Sequence, residues 1–150
     1  MPATTARDIM HPRLSLSEKE PGESLVKKLL CSYPGLPVVN DDDEVVGIVS
    51  EYDVFDALMN NRTIHEFSAE SIMGCGHKEH EGVCKEPICV PQNTSVDKVL
   101  ELMYKQNMSI LPVVESGTSR KLVGIIARKN IISALAERHF WPEHEFQKRV

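Results

Sequence analysis

The 150 residues carry 17 basic and 22 acidic side chains, a formal net charge of −5, and 41% hydrophobic content, enough to fill the core of one ordinary domain or of two small lobes sharing a core. No apolar run approaches the roughly 20 residues of a membrane span, and the opening residues lack the apolar segment of a signal peptide, so a cytoplasmic protein without a membrane partner is expected. Residues 1–75 hold 6 basic and 13 acidic side chains and residues 76–150 hold 11 and 9; neither half is basic enough to make nucleic acid the main partner.

A short strand is expected around Arg13 to Leu16. Leu25, Leu29 and Leu30 then fall on one helical face with Lys27 and Lys28 off it, and Ser24 stands where an N-cap belongs. Leu36-Pro37-Val38-Val39-Asn40 reads as a strand, Asp41-Asp42-Asp43 as a solvated turn, and Val45 to Ser50 as a second strand apolar on both faces. Ser50 caps a helix to about Asn60 whose buried stripe is expected to be Val54, Phe55, Leu58 and Met59.

The same order returns: a helix from about Thr94 to Asn107 (Val96, Val99, Leu100, Met103), a strand Ile110 to Glu115, a turn Ser116 to Arg120, a strand Lys121 to Ala127, and a helix Arg128 to Arg138. Leu-Pro-Val-Val recurs at Leu36 and Leu111, and Gly-Ile-Val-Ser-Glu-Tyr-Asp from Gly47 returns altered from Gly124. The chain is a tandem repeat. Two half-domains that each expose an apolar face bury those faces against one another, leaving related clefts at the seam. We divide it as residues 1–62, a first repeat; 63–140, a second repeat with a Cys- and His-containing insertion at 74–87; and 141–150, a tail. From Leu25 to Pro37 the first repeat is about one helical turn shorter than the second from Val96 to Pro112. The second is about eight residues longer between Met73 and Val96 than the first between Met10 and Leu25.

The duplicated Asp8-Ile9-Met10 and Ser71-Ile72-Met73 openings, the Leu-Pro-Val-Val strands and the Gly47 to Asp53 element together resemble the cystathionine β-synthase (CBS) domain family over roughly residues 7 to 138. The resemblance implies an α/β (α+β) fold of two small sheets with helices packed on them, related by a pseudo-two-fold axis with clefts between repeats. It also implies a regulatory role, an adenine nucleotide as ligand (AMP, ADP or ATP, with S-adenosylmethionine possible), a homodimer and an effector protein. The family's signature is a glycine, two variable residues, a hydroxyl residue, two variable residues and an aspartate, which Gly47-Ile48-Val49-Ser50-Glu51-Tyr52-Asp53 satisfies. A hydroxyl at a helix N-cap sits among unpaired N–H groups at the positive end of the dipole, which suits phosphate; the carboxylate of Asp53 can accept from both ribose hydroxyls; Gly47 lets the strand pass close to a ligand. Gly35 and Leu36, before Pro37, resemble the family's adenine-reading edge.

A plainer reading stands beside this one, since Ser50-x-x-Asp53 is also a capping box that needs no ligand. The second copy has Ala127 for the hydroxyl and Asn130 for the aspartate. It also has Arg128 and Lys129 in the first helical turn, where cations oppose the dipole; either they serve the phosphates of a nucleotide held by Asp53, or they are two solvated surface charges.

In the insertion, Cys75, His77, His80 and Cys84 form an available four-ligand zinc set, though the spacing is not that of the usual knuckles; a polar loop with incidental thiols and a redox sensor are the other readings. Thiols are expected of all four cysteines, Cys31, Cys75, Cys84 and Cys89. Phe140, Trp141 and Phe146 in the tail either cover the core or meet a partner. The sequence thus predicts a non-catalytic nucleotide sensor, with a ligand-free scaffold or a metal or thiol sensor as alternatives; no nucleophile and base stand at a catalytic spacing.

Overall fold

The structure, a computed structural model, describes residues 4–60, 62–76 and 86–139, excluding the side chains of Arg138 and His139. The chain runs α1 (Ala6–Ile9), β1 (His11–Pro12), β2 (Leu16–Ser17), α2 (Gly22–Leu30), β3 (Gly35–Val39), β4 (Val45–Ser50), α3 (Glu51–Met59), α4 (Ala69–Ile72), β5 (Val90–Pro91), α5 (Val96–Lys105), β6 (Ile110–Ser116), β7 (Ser119–Ala127) and α6 (Arg128–His139). The principal strands and helices match those read from hydrophobic periodicity. The one-turn helices α1 and α4 and the two-residue strands β1, β2 and β5 are too short to carry a period.

The strands form two sheets, β2-β3-β4 and β5-β6-β7-β1. In each, a short parallel strand joins an antiparallel hairpin: Leu16 lies beside Val38 and Val90 beside Val113. The fourth place in each sheet is taken by the opening of the other repeat. His11 pairs with Ile125, and Gly74 exchanges both backbone hydrogen bonds with Ile48, at 2.9 and 2.8 Å. The two short helices are exchanged likewise: Ala6 N–H donates to Thr94 C=O beside α5, and Ala69 N–H donates to Glu20 C=O beside α2.

Methionine and glycine make this exchange fit. A Cβ on Gly47 would stand 2.5 Å from the sulfur of Met73, and one on Gly124 would stand 2.5 Å from the sulfur of Met10. The absent side chain of Gly47 therefore makes room for Met73, a packing role that sequence reading had given to a ligand's approach. A further tie joins the repeats at a turn, where the Leu122 N–H donates to the Asp43 carbonyl at 3.1 Å; within the first repeat Arg13 donates to both carboxylate oxygens of Asp43 at 2.6 and 2.7 Å and holds that carboxyl below its usual range.

The core is shared. Ile48 of the first repeat lies in one cluster with Val99, Ile110 and Ile126 of the second, while Leu16, Leu25, Leu36 and Val49 fill the other lobe. Two expectations are corrected. Ser24 is not a cap: α2 begins one turn earlier, with Pro21 at the N-cap position, and the Ser24 hydroxyl donates to Glu20. The stripe of α3 is buried only in part: Val54 is half-buried against the core of the first lobe, but Phe55 is 72% and Met59 77% exposed, Leu58 is exposed too, and only Ala57 is fully enclosed. The neighbouring α4 is a single turn, too short to cover that row.

Gly124 faces both Met10 and the carbonyl of His11, 2.7 Å from the position of an added Cβ, so the backbone itself must move to admit a methyl. Gly124→Ala is expected to lower unfolding free energy by about 1–3 kcal/mol. Gly117→Ala, into open space, should change it by less than about 0.5 kcal/mol, both read by urea denaturation.

Candidate functional site

The strand β4 ends where α3 begins, and Ser50 is the hinge between them. Its hydroxyl accepts from the Asp53 N–H at 3.3 Å, while Asp53 Oδ2 accepts from the Ser50 N–H at 2.8 Å and from the Ser50 hydroxyl at 3.0 Å. This reciprocal box satisfies N–H groups that a helix start leaves unpaired. It also fixes both side chains, half-buried, at the mouth of the seam. The β3–β4 register sets Gly35 beside Ser50, Leu36 beside Val49 and Pro37 beside Ile48. Gly47, Ile48, Ser50, Asp53, Gly35, Leu36 and Pro37 are thus brought to one end of one hairpin.

The other wall comes from the second repeat and its opening. Gly74 pairs with Ile48, Gly76 lies over Ile48 and the methyl end of Met108, and Gly35 lies against Ile110. Arg128 belongs to this wall too. Its Nε donates to the Met108 carbonyl at 2.8 Å and its Nη2 to Asn107 Oδ1 at 3.1 Å, so the cation at the start of α6 is anchored on the turn that follows α5. Lys129 goes elsewhere: its ammonium stands 5.6 Å from the centre of the Tyr33 ring.

The second copy keeps its helix start despite its altered residues. Asn130 Oδ1 accepts from the Ala127 N–H at 2.7 Å, the bond that Asp53 makes to Ser50. An amide oxygen therefore replaces the carboxylate as a cap, without its charge. Sequence reading missed His11, Tyr33, Met73 and Gly74, whose signal lay in the alignment of the repeats: Tyr33 and Met108 each stand two residues before the strand position that pairs with the hinge. A separate depression of about 370 Å³, lined by Asn40, Glu44, Pro87 and Arg120 among others, lies toward the opposite end of β4 from Ser50.

Of the expected metal ligands, His77, His80 and Cys84 lie outside the described residues, as do Phe140, Trp141 and Phe146. Cys75 is disulfide-bonded, whereas Cys31 and Cys89 are free. The expectation of thiols therefore fails at Cys75, and a disulfide sulfur is not the thiolate that a zinc set requires. Among the described residues no three His, Cys, Asp or Glu side chains gather as a metal site. No described helix is long and apolar enough to cross a membrane.

Paired sheets with exchanged openings and a capped hinge at the seam define the fold class, and comparison with known proteins agrees. The chain belongs to the CBS domain family, whose model matches residues 6–60 and 82–137. It is 28% identical over 111 residues to inosine-5'-monophosphate dehydrogenase of Methanocaldococcus jannaschii, covering 74% of this chain and 19% of the dehydrogenase. It is 27% identical over 154 residues to the chloroplastic CBS domain-containing protein CBSX2 of Arabidopsis thaliana, covering 87% of this chain and 63% of that protein. The chain thus spans about a fifth of the first relative's length and under two thirds of the second's. Among solved structures, the CBS domain pair of protein MJ0100, in complex with 5-methylthioadenosine and S-adenosyl-L-methionine, superposes with a TM-score of 0.72 at 27% identity, over 91% of this chain and 99% of that one.

Replacing the hinge hydroxyl tests the cap itself. Ser50→Ala is expected to cost about 1 kcal/mol of stability, seen as a lower melting temperature without ligand, and Ser50→Thr should restore it.

Proposed function

We propose that this CBS pair is a non-catalytic regulatory module that binds an adenine nucleotide or related adenosyl compound in its first cleft and passes occupancy to a partner protein. The observation that carries this reading is a complete signature held in its capping box beside the line where the two repeats meet. Ser50 and Asp53 stand at the start of the nine-residue α3, two and five residues beyond Ile48, which pairs with Gly74 of the second repeat and packs beneath Gly76. In this reading the phosphate lies at the Ser50 hinge, Asp53 accepts from the ribose hydroxyls, and the edge of the base meets the backbone at Gly35 and Leu36. Arg128 approaches the phosphates from the second repeat, a placement supported by its anchor on Met108. The adenosyl ligands of the MJ0100 pair support the choice of ligand class. The groups gathered here bind and orient, which is why the module is read as a sensor rather than an enzyme. A ligand touching both repeats favours one packing of the lobes over another, and that difference in affinity is the signal.

The uncovered row on α3 supports a homodimer. Tyr52, Phe55 and Met59 are exposed on one short helix, an apolar surface of the kind that marks an interface. Phe55→Glu is expected to shift the protein from dimer to monomer at micromolar concentration in light scattering; a wild type already monomeric there overturns this part.

The ligand reading is separable from the cap because the second repeat shows that asparagine suffices for capping. Asp53→Asn is expected to leave the melting temperature within a few degrees of wild type. The same variant should weaken AMP binding by about ten- to hundred-fold, the worth of hydrogen bonds to a charged acceptor, measured by calorimetric titration. Equal affinity in the two proteins would sink the assignment.

A further inference from the structure

The two clefts are equivalent by construction and differ in what fills them. Each is bounded by the residue after an Ile-Met opening, by the first turn of the helix that follows the hairpin, and by the residue two positions before the hairpin's first strand. In the first cleft the equivalent places are held by Gly74, which pairs with Ile48, by Met108, fully buried, and by Tyr52, whose side chain is largely exposed. In the second they are held by His11, which pairs with Ile125, Lys129 and Tyr33. One set offers a glycine and a thioether sunk into the core. The other offers an imidazole, a phenol ring and an ammonium.

Those three groups are already engaged with one another. The His11 and Tyr33 rings lie 5.3 Å apart, centre to centre, with their planes inclined at 55°, inside the range of favourable aromatic pairs. The Lys129 ammonium stands 5.6 Å from the Tyr33 ring centre, within reach of the ring's negative face. Tyr33 also packs against all three hydrophobic clusters of the molecule, so the ring is seated between the lobes. We infer that the second cleft is filled from within by Tyr33, held between His11 and Lys129, and that the chain therefore takes a single nucleotide, in the first cleft.

The single-site part rests on the function proposed above; the internal filling by Tyr33 does not. A flat base entering the second cleft must displace a ring of similar thickness together with its cation. The loss of Ser and Asp from the second signature is then one of two barriers to binding there, and Tyr33 is the other.

The test separates these barriers by calorimetric titration with AMP. The wild type is expected to take one equivalent per chain. Ala127→Ser with Asn130→Asp, which restores the signature while leaving Tyr33 in place, is expected still to take one. Adding Tyr33→Met, which supplies the residue type found at position 108, is expected to raise the count to two. Two equivalents on the wild type, or on the restored signature with Tyr33 present, overturn the inference; so does a folded triple variant that gains no equivalent over its Tyr33 parent. If the triple variant lacks a cooperative melt, Tyr33→Leu replaces Tyr33→Met. A wild type that takes no AMP refutes the first-cleft reading and the single-site count. The filling itself is then judged on the restored pair alone: a rise from zero to one on removing Tyr33 supports it, and no rise overturns it.

Discussion

The exchange of opening segments between the repeats is the constraint on which the structure depends. Each sheet has three strands of its own and needs a fourth to cover the exposed edge of its hairpin, since an unpaired edge leaves backbone donors and acceptors unsatisfied. The neighbour's opening supplies it, at His11 on β7 and at Gly74 on β4. Met10 and Met73 follow that backbone into place and fill the spaces over Gly124 and Gly47. A thioether chain suits such a gap because it is unbranched and adaptable. Neither repeat is complete without the other, and the clefts lie where the exchange occurs.

From this follows the character of the site. Capping chemistry and ligand chemistry use the same groups, because a helix start with unsatisfied N–H donors is also a place for an anion. Ser50 and Asp53 serve the helix in the structure described here, and a bound nucleotide would share those groups rather than find them idle. Asn130 shows how the two duties come apart: an amide oxygen preserves the turn and gives up the negative charge.

Asymmetry between the repeats is concentrated in a few side chains at equivalent places. Gly74 stands where the other repeat has His11, Met108 where it has Tyr33 and Tyr52 where it has Lys129, and the second set puts two rings and an ammonium in mutual contact. The rows of the outer helices differ as well. On α3 only Ala57 is enclosed, whereas its counterpart α6 buries Ile131 as well as Ala134; both helices leave an apolar side chain exposed at the equivalent place, Phe55 and Ile132.

Local sequence determined the repeat, the hairpins and the capping box at Ser50, because periodicity, turn residues and caps are properties of neighbours along the chain. It also misled in four particulars: Ser24 lies inside α2 rather than at its start, Cys75 is not a thiol, and the other two concern α3 and β4. Phe55 and Met59 have the spacing of a buried stripe, and spacing says that a face is apolar, not what covers it; the glycine at 47 looked like clearance for a ligand and is clearance for Met73. Tertiary structure alone decided which opening pairs with which hairpin, that Arg128 reaches back to Met108 while Lys129 lies over Tyr33, and that Tyr33 sits between the lobes. These are contacts between residues some 20 to 115 positions apart, and no local pattern encodes a meeting that only the closing of the two repeats on one another brings about.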